Sequence, residues 1–149
     1  MADGLRDITL TGKIDRMEWS DESDRLIRVI DYKTGKGKTV GQIEGTTADS
    51  RGDLKRQLIF YKLLIDLDTR LKVHFGEAEL DFVEEPAVSN KDGIRRFKIA
   101  DEEVVELKKV ILDAMKEIRA MHFPRTKNYK TCETCAFRDH CWPEGIPTT

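Results

Sequence analysis

The chain has 149 residues, of which 39% are hydrophobic and 36% charged, yet its net charge is only −2. That length and apolar content support one buried core, and the near-neutral balance excludes capture of a polyanion by bulk charge, so such a partner has to be met by a local patch. No run approaches the roughly 20 apolar residues of a membrane span, and "MADGLRDITL" lacks the basic-then-apolar pattern of a leader, so no membrane partner and a cytoplasmic location are expected.

In chain order, "ITLTGKIDRMEW" alternates Ile8, Leu10, Gly12 and Ile14 with Thr9, Thr11, Lys13 and Asp15. The polar "SDESD" then separates it from "RLIRVIDYKTG", which predicts a β-hairpin. After the loop "KGKTVGQIEGTTADSRGD", the segment "LKRQLIFYKLLIDL" repeats Leu54, Leu58, Tyr61 and Ile65 at helical spacing. Two further strands are expected in "VHFGEAELDFVEE" and "GIRRFKIA", joined by the turn-rich "PAVSNKDG". "DEEVVELKKVILDAMKEIRAMH" carries acidic residues in its first turn and Val104, Leu107, Ile111, Met115 and Ile118 on one face. It predicts a helix packed on the sheet and closed by Pro124. The order is ββαββα, a mixed α/β sheet flanked by helices, followed by a polar cysteine-rich tail. The expected division is a core over residues 1–124 and a tail over 125–149.

The chemistry concentrates in "VIDYKTG". Residues two apart on a strand point the same way, so Asp31 and Lys33 share a face that Tyr32 does not. In the hairpin, Asp15 can approach Asp31 from the neighbouring strand. Two adjoining carboxylates repel unless a cation lies between them, and hard oxygen ligands favour Mg2+ or Mn2+. A cation there would acidify a water and polarise a phosphoryl oxygen, with Lys33 orienting the water or balancing charge in the transition state. The plainer reading of D-x-K is an ion pair at a strand end.

"GKIDR", "VIDYKTG" and "QLIFY", in that order, resemble the G-x-x-D, D-x-K and Q-x-x-x-Y motifs of RecB-like nucleases in the PD-(D/E)XK superfamily. The resemblance implies an α/β nuclease core that hydrolyses DNA in an exonuclease-type reaction, as part of a helicase–nuclease for recombination and repair. It further implies that Asp15, Asp31 and the backbone carbonyl of Tyr32 hold the metal, that Lys33 is catalytic, and that Gln57 and Tyr61 touch DNA and brace the site. Gln57 and Tyr61 stand four apart, on one helical face. Ordinary helix packing is the alternative for that pair. Lys33, Lys36 and Lys38, with Arg25 and Arg28, offer a basic rim for phosphates that Arg125, Lys127 and Lys130 could extend.

Cys132, Cys135 and Cys141 form C-x2-C-x5-C. The spacing resembles the C-terminal three ligands of the four-iron cluster in AddB-type and CRISPR-associated members, whose fourth cysteine lies far upstream. A zinc site completed by His140 or His122, or three idle thiols, are the other readings. The family also carries an upstream helical motif that contributes a metal ligand, and only 14 residues precede Asp15. The chain is therefore expected to be a C-terminal piece of a larger protein with a helicase module, weakly active or inactive alone. A non-catalytic DNA-binding or structural domain of the same fold, or a zinc-binding module, remain the rival functions.

Overall fold

The computed structural model describes residue 5 and residues 7–84 and 93–147. Four strands form one mixed sheet in the order β1-β2-β3-β4: β1 Arg16–Asp21, β2 Leu26–Lys33, β3 His74–Phe82 and β4 Ile94–Phe97. β1 and β2 are an antiparallel hairpin, β2 and β3 run parallel, and β3 and β4 are antiparallel. A parallel neighbour requires a crossover, which the chain makes through α1 Val40–Glu44 and α2 Asp53–Leu67. Most of the expected "PAVSNKDG" turn lies outside the described residues.

Alternation along the strands sorts the two faces. One carries Val29, Asp31, Ala78, Leu80 and Phe97 in register. α2 lies on this face, closing a core in which Val29, Leu58, Leu63 and Leu80 are fully buried. The other face carries an ion-pair lattice. Arg28 holds Glu77, and the buried carboxylate of Glu79 stands 3.8 Å from Arg28 and 2.8 Å from Arg96. Buried carboxylates persist where such partners offset their desolvation.

α3, Asp101–Arg119, starts with three acidic residues, as expected for a helix N-terminus. Lys55 and Lys62 of α2 reach Glu103 and Asp101 at 3.3 and 3.0 Å, and Val104 and Leu107 enter the core. The expected apolar face continues through Ile111, which is partly buried against the core.

Two departures from the expected elements matter for the site. Residues 8–15 are not a strand, and β1 starts only at Arg16. A Cβ on Gly12 would come within 2.5 Å of Leu64 Cδ1, so this glycine lets the segment pass close over α2, while Leu10 and Ile14 pack on the core. The loop after β2 contains α1, opened by a capping box in which Thr39 and Gln42 satisfy each other's backbone N–H, and it buries Ile43. Gly45 ends α1 in a left-handed conformation, 2.5 Å in Cβ terms from the backbone of Gly52, where no side chain fits.

By contact density the chain divides into units 1–112 and 113–149. The second contains the end of α3 and two single turns, α4 Tyr129–Cys132 and α5 Arg138–Cys141. Trp142 anchors it, edge-on to Tyr129 at 5.6 Å between ring centroids and beneath the Arg125 guanidinium at 4.9 Å.

Candidate active site

β2 is an inner strand of β-branched residues, and its last turnless stretch delivers Asp31, Tyr32 and Lys33 to the point where the hairpin ladder ends. Asp31 is only 3% exposed. Its Oδ1 accepts hydrogen bonds from the Tyr61 hydroxyl at 2.6 Å and from Gln57 Nε2 at 2.9 Å. Gln57 Nε2 also donates to the Tyr61 oxygen at 2.7 Å, and Gln57 Oε1 accepts from Lys33 Nζ at 2.8 Å. The amide thus turns its oxygen to the ammonium and its nitrogen to the carboxylate, the only orientation that satisfies both.

Asp31 Oδ2 is buried and accepts no hydrogen bond. Lys33 Nζ stands 2.7 Å from it, an ion contact made off the hydrogen-bonding direction. Asp15 comes from the other strand of the hairpin. The pairing of Arg16 with Ile30, continued by one residue, sets Asp15 opposite Asp31, and Asp15 Oδ2 accepts a bond from the Tyr32 amide at 3.1 Å. Burial, the Asp31 hydrogen bond and the negative charges of Asp31 and Asp15 all push the Tyr61 phenol well above its ordinary pKa, against a smaller opposing effect of the bond from Gln57. Tyr61 is therefore a fixed donor at neutral pH.

Asp31, Lys33, Gln57 and Tyr61 are thus joined by one chain of side-chain contacts at one strand end, and Asp15 meets them through the Tyr32 amide. Oxygen donors of this kind, the Asp31 carboxylate beside the Lys33 ammonium and the Asp15 carboxylate on the Tyr32 amide, are the chemistry that hard divalent cations take, although among the described residues no group of three or more such side chains is assembled. The carboxylates of Glu77 and Glu79 lie on the far face, as does Glu18, which pairs with Arg16. The basic rim is smaller than expected. Arg28 is committed to Glu77 and Glu79 on the far face, and Arg25 lies in the turn at the opposite end of β2, donating to the Lys72 carbonyl. Lys36 and Lys38 remain, on the loop that leaves the site.

A cavity of about 750 Å3 lies elsewhere, between Leu5, Ile8, Leu10 and Ile14 on one side and the end of α2 on the other, and none of the five site side chains lines it.

The thiols give a different picture. Cys132 is buried, Cys135 exposed and Cys141 half-buried. Among the described residues no group of three or more His, Cys, Asp or Glu side chains stands close enough to hold a metal ion, so the three cysteines are not assembled as a ligand set. An iron–sulfur or zinc site rests on their spacing alone. His122 contacts Glu117 instead.

Sequence reasoning passed over Arg16, whose Nη1 donates to the Tyr32 hydroxyl at 3.2 Å. The available signal was its place next to Asp15, which puts it diagonally across the hairpin from Tyr32.

A mixed sheet whose inner strand ends in D-Y-K, braced by a glutamine and a tyrosine from the following helix, is the architecture of an α/β nuclease core. A profile of the PD-(D/E)XK nuclease superfamily matches residues 2–142, and the chain belongs to that superfamily. Its members are generally metal-dependent nucleases that hydrolyse phosphodiester bonds with Mg2+ or Mn2+. No curated protein and no solved structure matches the chain. Among the described residues no helix is long and apolar enough to cross a membrane.

Proposed function

We propose that this chain is the nuclease core of a cytoplasmic, RecB-like enzyme that hydrolyses DNA in an exonuclease-type reaction, working with a helicase module in recombination and repair. The observation that carries the catalytic part is the Asp31 carboxylate, held by Gln57 and Tyr61 through Oδ1 while its buried Oδ2 faces the Lys33 ammonium at 2.7 Å. The substrate, the helicase and an iron–sulfur cluster on Cys132, Cys135 and Cys141 rest on the motif resemblance.

In this reading Asp15, Asp31 and the Tyr32 carbonyl hold Mg2+ or Mn2+. The cation, when bound, supplies Lewis-acid polarisation of a phosphoryl oxygen and a more acidic water. The remaining work falls to the protein. Gln57 and Tyr61 lock the Asp31 carboxylate, so no reorganisation is needed when the substrate arrives. Lys33, anchored by Gln57 Oε1, presents a positive charge to the phosphoryl oxygens as negative charge develops on them. Lys36 and Lys38 would meet the backbone of the departing strand.

The test is Mg2+-dependent cleavage of end-labelled linear DNA, covalently closed circular DNA and RNA. Release of short products from linear DNA ends supports the reading, and nicking of the circle makes the chain an endonuclease. DNA binding without cleavage in Mg2+ or Mn2+ by the chain together with its helicase module would leave a non-catalytic DNA-binding domain.

A further inference from the structure

We infer that Arg16 and Tyr32 form a clamp on the far face of the sheet that holds Asp15 in place for the metal, making both of them positioning residues; the inference rests on Asp15 being a metal ligand. Asp15 needs such a device. The β1–β2 ladder ends at the Arg16–Ile30 pair, so the backbone of Asp15 is outside the strand, in a segment that reaches it from Gly12 over α2.

Tyr32 meets this segment twice. Its amide donates to Asp15 Oδ2 at 3.1 Å, and its hydroxyl, on the face opposite Asp31, accepts from Arg16 Nη1 at 3.2 Å. Arg16 is the neighbour of Asp15, and Tyr32 lies between Asp31 and Lys33, so the two bonds pin the two metal-bearing stretches to each other. The other terminal nitrogen of Arg16, Nη2, is paired with Glu18 on the same face. A planar guanidinium can serve both partners at once, which a lysine ammonium on a flexible stem does not do with the same geometry. Tyr32 is 39% exposed and outside the apolar core, so packing does not account for its phenol.

The bond is exposed, so it adds little to global stability and acts locally. Arg16→Gln and Tyr32→Phe should each weaken Mn2+ binding by about three- to tenfold, the range of one net hydrogen bond, with melting temperatures close to wild type. Because they break the same bond, the double variant should be no weaker than either single variant. Arg16→Lys should fall between wild type and Arg16→Gln. Cleavage should return towards the wild-type rate at saturating Mn2+, which a general structural defect would not allow.

A metal-free readout separates the clamp from the metal. Hydrogen exchange of the residue 32 amide, which Asp15 protects, should accelerate in both single variants. Calorimetry with Mn2+ and exchange by NMR on the same samples decide the matter. Mn2+ binding by wild type with unchanged affinity and exchange in the variants, or additive losses in the double variant, overturns the clamp alone. A wild-type chain that binds no Mn2+ overturns the metal reading and the clamp's role in it.

Discussion

Replacing Tyr61 by phenylalanine removes one hydroxyl and leaves the buried ring in place. The lost groups are the 2.6 Å donor to the Asp31 carboxylate and the acceptor of the Gln57 bond. A hydrogen bond to a charged group contributes about 1.5–3 kcal/mol and a neutral one about 1 kcal/mol, but Gln57 still serves Asp31 Oδ1, so a net loss of about 2–3 kcal/mol is expected. For a chain of this size that lowers the melting temperature by about 4–10 °C. Unfolding followed by circular dichroism in chelator isolates the protein's own bonds from any bound cation. Because the ring fills the same space, a cavity cannot explain the loss. A Tyr61→Phe melting temperature within about 1 °C of wild type would refute the buried tyrosine–aspartate bond, since a lost charge-assisted bond cannot be so small.

The same phenol sets an alkaline limit. Its pKa is raised in the folded state, so its contribution is fully present below the ordinary phenol value of about 10 and is lost as pH rises further; urea unfolding should show stability falling more steeply above that pH in wild type than in Tyr61→Phe. Gly12→Ala should cost no more than about 1 kcal/mol, because it presses on the mobile end of Leu64 beside a cavity, and less in a Leu64→Ala background, a coupling that denaturation of the four proteins measures. In the complete helicase–nuclease, Lys33→Ala should lower the turnover of DNA cleavage by about a hundredfold while weakening DNA binding by less than about tenfold; equal losses would make Lys33 a phosphate anchor.

Much of the scaffold was legible because local and tertiary demands agree. The apolar, β-branched run before Asp31 lies in the sheet interior, and the Leu54, Leu58, Tyr61 and Ile65 spacing is the face α2 turns inward. Asp15 reaches the Tyr32 amide beside the hairpin, but from a segment that is not a strand. The alternation from Ile8 to Asp15 mimics a strand, whereas the close approach that Gly12 permits is a tertiary fact visible only with Leu64 in place. The short α1 was missed although Thr39 and Gln42 have capping-box spacing, because a five-residue helix leaves too little periodicity to see. Arg28 shows a misuse of a rule already in hand: the alternation that puts Asp31 and Lys33 together puts Arg28 on the other face. Its partners Glu77 and Glu79 come from β3, and no local pattern announces a pair so distant in sequence.

The central claim is that Asp31 and Asp15 share a divalent cation, and calorimetry of Mn2+ binding tests it most directly. Wild type should bind Mn2+ at the D-Y-K strand end, and Asp31→Asn and Asp15→Asn, which keep the shape but remove the charge, should each weaken it by about tenfold or more. Wild-type affinity retained in Asp31→Asn would contradict the account.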